Sequence, residues 1–316
     1  MNTMRTSKIA KSLAGAGLLL ALLGAGCTSS TTTNTTTTTT PTNENTDVVA
    51  NENANENTNA AVAEVDPTAM PLDFPNSTLE AEFGDYVLAP TRAALDEAAT
   101  AGVENGTFIY YMAEVAEVGD TASVLTEINE EVTIPNGVIV PIPAGQTAAV
   151  GDTVLTWWQS GSGITRAYVV EGGTPTKPMV NYLDTGILGA SEPEELDADS
   201  FVVITDPWQA GASIGVKNGS DYDHYQVLKV SGDQVLVSGF ASSLEVVSKA
   251  DAVTMPIKPV VAVGDAVSVP FIGTYTDGTV TAVDDVNGTV DVEVEWAGDK
   301  EVDTYAYGDV ILSSEL

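Results

Sequence analysis

Three stretches of this chain begin alike: Phe83-Gly84-Asp85-Tyr86-Val87, Val150-Gly151-Asp152-Thr153-Val154 and Val263-Gly264-Asp265-Ala266-Val267. Self-similarity of this kind points to a series of small units, each burying its own apolar face. A degenerate start, Trp208-Gln209-Ala210-Gly211-Ala212-Ser213-Ile214, falls in the long gap before the last of them. The glycines at 84, 151, 211 and 264 are then 67, 60 and 53 residues apart.

The same ordered features follow each start. A second strand is predicted at Tyr110–Val115, Thr165–Val170, Tyr225–Val230 and Gly278–Val283, and a third at Val124–Ile128, Met179–Leu183, Gln234–Val237 and Val290–Trp296. The last of these alternates strictly, which marks a strand with one buried and one wet face. Asn287-Gly288 and Gly232-Asp233 have the chemistry of two-residue hairpin turns. Each unit closes on a short apolar piece, such as Phe201-Val202-Val203-Ile204 or Val310-Ile311-Leu312. Pro90–Gly102 departs from the pattern. It is alanine-rich and ends at glycine, so a short inserted helix is expected in the first unit. The expected fold class is therefore all-β. Its units span residues 78–146 (with the helix), 147–206, 207–257 (the degenerate one) and 258–316.

Units of four or five short strands suggest small barrels. The order Val-Gly-Asp-x-Val, Gly-Thr-Tyr, Gly-Thr-Val-Thr-Ala-Val, Val-Asp-Val-Glu-Val-Glu-Trp, Asp-Val-Ile across Val263–Leu312 resembles the Tudor and agenet group of barrels. The resemblance implies a Gly-Asp turn opening the first strand and a bent hairpin made by the second and third. It covers the fourth unit, much of the second, and only the frame of the first and third.

The N-terminus carries a different signature. Arg5, Lys8 and Lys11 precede an apolar run from Leu13 to Leu23, then Gly24-Ala25-Gly26 and Cys27, the only cysteine. This is the layout of a secretory signal peptide over residues 1–26, with an apolar run too short for a comfortable membrane span of about 20 residues. A cysteine in that place resembles the lipobox of bacterial lipoproteins, with Gly24 standing where that family usually has leucine. The resemblance implies lipidation of Cys27, cleavage before it, and anchoring in the cell envelope. With Thr28 rather than Asp next to the cysteine, it implies the outer membrane or cell surface if the cell has two membranes. Residues 27–77 are then expected to form a tether, rich in Thr, Asn and Glu and too poor in apolar groups to order itself. Its low-complexity portion, about 38 residues long, would reach roughly 35 Å. Its threonines have the composition of a glycosylated stalk.

Without residues 1–27 the chain holds 8 basic and 45 acidic residues, a formal charge of −37. Nucleic acid is excluded as a partner, since its phosphates need basic patches. The remaining partners are the membrane, through the anchor, and a protein or envelope polymer.

Candidate site residues are few. The Tudor resemblance implies an aromatic cage for a methylated cation, with Tyr275, Trp296 and Tyr305 as matching positions and Tyr307 nearby; the second unit offers Trp157, Trp158, Tyr168 and Tyr182. The same rings serve equally as core and contact residues of small barrels. His224, the only histidine, sits in Asp221-Tyr222-Asp223-His224-Tyr225 and is expected to be an exposed loop residue. No second imidazole is present to complete a zinc site, and no nucleophile elbow accompanies it. Carboxylate pairs occur at Glu130-Glu131, Glu194-Glu195 and Asp284-Asp285. Hard cations want oxygen clusters, so calcium is the one cofactor weighed, at Asp221, Asp223, Asp284 and Asp285. The leading expectation is a non-enzymatic envelope lipoprotein that binds or braces. The alternatives are a carboxylate-dependent enzyme acting on envelope polysaccharide and a calcium-stabilised adhesion module.

Overall fold

The computed structural model describes residues 65–127, 129–160, 163–184 and 192–316. Cys27, the expected signal peptide and most of the expected tether lie outside them. The remainder belongs to one compact unit beginning at Ala61, and it is all-β with one α-helix.

Three antiparallel sheets follow one another along the chain. The first contains β1 (Tyr86–Pro90), β2 (Tyr110–Glu117), β3 (Ala122–Glu127), β4 (Glu130–Pro135) and β5 (Val140–Ile142), in the order β4-β3-β2-β1-β5. The second contains β6 (Thr153–Trp157), β7 (Ile164–Thr174), β8 (Lys177–Tyr182), β9 (Glu194–Glu195) and β10 (Val202–Val203), in the order β10-β6-β7-β8-β9.

The third is larger. Its first half is β11 (Ser213–Asn218), β12 (Asp221–Ser231), β13 (Gln234–Ser238), β14 (Leu244–Ser248) and β15 (Ala252–Thr254). Its second half is β16 (Ala266–Phe271), β17 (Thr274–Asp284), β18 (Thr289–Trp296), β19 (Asp299–Ala306) and β20 (Ile311–Leu312). The halves join where β12 meets β17, at Asp223 opposite Thr274, with the His224 amide donating to the Gly273 carbonyl at 2.8 Å.

The start sequences have a common physical role. Gly84, Gly151, Gly211 and Gly264 all adopt positive φ, between 87° and 97°, a region costly for a residue with a Cβ. Each glycine amide donates to a valine carbonyl of the second strand: Val115, Val169, Val227 and Val280. Each of those valine amides donates back to the carbonyl of the residue after the glycine. Asp85, Asp152 and Asp265 also accept from the backbone amide three residues earlier, at 2.8 Å in each case. Ala212 cannot, and there Gln209 accepts from the Thr205 amide instead.

The second strand of each group is then bulged, between Val115 and Glu117, Val170 and Gly173, Val227 and Lys229, and Val280 and Ala282. A bulge bends a strand and strengthens its twist, so each sheet folds over its own apolar face. The last strand of each group returns to pair with the first, as β5 with β1 and β20 with β16.

Some expectations need correction. The sheets are open rather than closed: in the first two the fourth and last strands lie at opposite ends of the order, and in the third β14 does not pair with β15 nor β19 with β20. The returning strands are only two or three residues long, too short to serve as closing staves. Asn287-Gly288 is not a two-residue turn. It forms half of a four-residue loop between Asp284 and Thr289, in which Asp284 accepts from the amides of Val286 and Asn287. Gly232-Asp233 does form the two-residue turn.

The tether expected to run to residue 77 ends earlier. Phe74 is buried in the first core, and Asn76 bridges the Thr121 carbonyl and the Gly137 amide. The inserted helix α1 (Arg92–Ala101) is present, capped by the Thr91 hydroxyl at the Ala94 amide and stopped at Gly102. It buries Leu95 and Ala98.

The apolar clusters do not respect the sheet boundaries. The largest joins Phe74 and the first sheet to Leu155 and Trp157 of the second and to Leu228 and Leu236 of the third. Another joins Tyr168 and Leu183 to the valines of β16–β18.

Candidate functional site

A cleft of about 560 Å³ opens where the second sheet meets both halves of the third. At its base lies Arg166, whose side chain is almost wholly buried. Its place on β7 explains the burial: residues 165–170 form one continuous buried run, and a charge in such a run must find partners. Arg166 Nε and Nη2 donate to the Asp184 carboxylate. Nη2 also donates to Asp309 Oδ2 at 2.7 Å, and Nη1 to Ser213 Oγ at 3.2 Å and the Tyr307 carbonyl at 3.4 Å. The fork is thus fully engaged, by residues from β11 and the loops after β8 and β19.

Gly308 makes this approach possible. A Cβ there would lie 2.8 Å from Arg166 Nη1, and its φ of 90° disfavours any side chain.

Asp309 is the second hub. Its Oδ1 accepts from Ser213 Oγ at 2.7 Å and lies 3.3 Å from His224 Nε2. Burial alone would push this carboxyl up. The Arg166 charge and the His224 and Arg166 hydrogen bonds outweigh it and hold the group below the usual aspartate range. Arg166 is held above the usual arginine range: burial opposes its charge, and Asp184 and Asp309 overcome that opposition. Tyr275 stands edge-on to His224 with ring centroids 5.6 Å apart. Its buried hydroxyl has no hydrogen-bond partner among the described residues, and burial together with Asp309 raises its pKa.

The mouth of the cleft is apolar and strained. Phe240 is 64% exposed and packs over Gly273. The next two residues, Ala241 and Ser242, both have positive φ, 56° and 59°. Two consecutive non-glycine residues in that region cost of order 1–3 kcal/mol each and concentrate at ligand clamps.

The expected cage does not assemble. Tyr275 packs with Met255 and Ile311, whereas Tyr305 lies in the core of β16–β18. Trp296 is 60% exposed and leans on Phe271 at 4.9 Å. In the second sheet, Trp157 stacks edge-on against Tyr86, and Tyr182 is buried in a separate cluster with Trp158 packed against it. Tyr168 instead crosses to Tyr307, edge-on at 5.6 Å. The cations that do sit over rings are the chain's own, Lys258 over Tyr307 and Lys249 over Trp208.

His224 also departs from expectation. It lies within β12 and is mostly buried, its side chain 26% exposed, because it faces Asp309 across the cleft. Ser213, Asp309 and His224 do not form a nucleophilic triad, since both Ser213 and His224 bond to the aspartate and the serine does not bond to the imidazole.

The carboxylates weighed for calcium are engaged by protein donors. Asp223 accepts from Asn218, and Asp221 from Ser220. Asp284 is held below the usual carboxylate range, first by Asn287. Asp285 is lowered first by the Tyr307 hydroxyl and then by Lys258. No cluster of three or more His, Cys, Asp or Glu residues suited to a metal occurs among the described residues. Glu130-Glu131 begin β4 and Glu194-Glu195 form β9, on sheet edges rather than in the cleft.

Sequence reasoning missed Arg166, Asp184, Ser213 and Asp309. One signal was available: Arg166 is the only charge in the apolar run Ile164–Val170. No known protein-family model matches the chain, and a search of curated proteins returns no match.

Proposed function

We propose that this protein is a lipid-anchored lipoprotein of the cell envelope, non-enzymatic, whose folded part binds a protein or an envelope polymer through the junction cleft. The observation that carries this reading is the cleft's chemistry. Its charged groups already satisfy one another, and its mouth presents an exposed aromatic ring on a strained loop. That combination suits recognition. It does not suit hydrolysis by paired carboxylates, which needs one free acid and one free base, because Asp184 and Asp309 share Arg166.

The recurrence of the positive-φ glycine, the bulged second strand and the returning last strand supports reading the folded part as four tandem Tudor-like units, open versions of the small barrel. The lipobox-like Cys27 supports the anchor, and a segment rich in threonine and asparagine suits a spacer between membrane and cleft.

Metabolic lipid labelling and membrane fractionation of the native chain and Cys27→Ser test the anchor. The native chain should be labelled and membrane-bound and the variant soluble; two soluble, unlabelled products would sink it. Co-sedimentation of the purified folded part with isolated cell envelopes tests binding. Phe240→Ala should weaken it several-fold, and equal sedimentation of both forms would remove the cleft from the reading.

A further inference from the structure

Among the cleft's lining residues the ionisable ones are Arg166, Asp184, His224 and Asp309, and Asp184 and Asp309 both sit on Arg166. Among the described residues, no lysine lines the cleft. Arg166 offers nothing further to an anion, its donors being taken by Asp184, Asp309, Ser213 and the Tyr307 carbonyl. Asp184 is the carboxylate best placed for a newcomer, with 24% of its side chain exposed against 12% for Asp309.

At the mouth, Phe240 presents a ring to solvent, and an aromatic face attracts a cation by about 0.5–1 kcal/mol when exposed and more when desolvated. The field of the whole molecule, with a formal charge of −34, draws positive ligands toward such a cleft.

Resting on the proposal that the cleft is the binding site, we infer that its ligand is a single organic cation: an alkylammonium or guanidinium group, seated on Asp184 with its apolar stem against Phe240. The cation is a second partner for the partly exposed Asp184 carboxylate. The room available, about 560 Å³, admits a lysine- or arginine-sized side chain with part of its backbone.

The lone imidazole is a built-in reporter, since the ring protons of His224 are the only histidine signals in the chain. The mature protein is titrated at low ionic strength and one fixed, buffered pH. The probes are butylammonium, ethylguanidinium, butanol, butyrate and a neutral disaccharide. The cations should shift the His224 resonances saturably, and the other three should not. Phe240→Ala, a change at an exposed position, should raise the apparent Kd several-fold, and Asp184→Asn about tenfold. Capped tripeptides with a central lysine or arginine separate the two sources of such a cation. Tighter binding than the free cations assigns a partner polypeptide, and equal binding assigns a small free cation.

A saturable shift with butyrate or the disaccharide alone would keep the cleft as a binding site and overturn the cation. Cation shifts unchanged in both variants would place binding elsewhere and overturn the inference. No shift with any probe, joined with envelope binding that Phe240→Ala leaves intact, would overturn both the inference and the cleft reading.

Discussion

At the residue scale, the buried Arg166 is the most consequential side chain described. Removing one partner of a buried ion network leaves the others uncompensated and typically costs 3–5 kcal/mol. Arg166→Met should therefore lower stability by about that amount in urea denaturation, because Asp184 and Asp309 would face each other unpaired. The triple change Arg166→Met, Asp184→Leu, Asp309→Leu should recover much of the loss, and a triple variant weaker than the single would show that the network stabilises in its own right.

Asp309 carries a pH signature. Its folded pKa is depressed, so its contribution is fully present above the ordinary aspartate value of about 4 and is lost as pH falls through the lower folded value. The native chain should lose stability in strong acid through this group. Asp309→Asn should be weaker at neutral pH and should flatten that part of the profile; parallel profiles for the two would refute the assignment. None of these roles was legible from sequence, because Ser213 and Asp309 lie 47 and 143 positions from Arg166. Spacing conveys nothing across such intervals.

At the scale of elements, the glycine turns were the most legible feature, since a positive φ can be met at little cost only by glycine. Their surroundings differ, and the difference can be measured. A Cβ at Gly264 would meet nothing within 4 Å, whereas one at Gly211 would lie 2.8 Å from Ile204 Cδ1 and 3.0 Å from Leu155 Cδ1. Gly264→Ala should cost about 1–2 kcal/mol from backbone strain. Gly211→Ala should cost more, because it also wedges the third sheet away from the second. Thermal denaturation ranks the two, and equal losses would contradict the close packing at Gly211.

The fourth strands were harder to see. Glu130–Pro135 and Asp299–Ala306 carry charges on both faces for part of their length, so period-two alternation fails there, and neighbouring strands set the pairing instead. The helix over Arg92–Ala101 was legible because its alanines and its glycine stop agree with one another; its Thr91 cap emerged only in the structure.

At the scale of the whole molecule, shared cores bind the sheets into one cooperative body. Residues 61–316 should unfold in a single transition, with the same midpoint by tryptophan fluorescence and by far-ultraviolet circular dichroism. Separated midpoints would mean that the sheets are independent. The excess of acidic residues works against this compactness through self-repulsion. Sodium chloride that screens it should raise the melting temperature by a few degrees, provided that repulsion among surface carboxylates outweighs the buried pairs. A fall with salt would show the opposite balance.

The glycine turns give the sheets one recurring pattern, but the junction makes them unequal. Arg166 comes from the second sheet, Ser213 from the first half of the third and Asp309 from the second half, so each now holds one part of a shared lock. A sheet excised, duplicated or exchanged with a sibling would bring a key with no matching ward. Shuffling, the freedom that a repeated architecture ordinarily confers on its lineage, is closed to these three. They can be inherited only together.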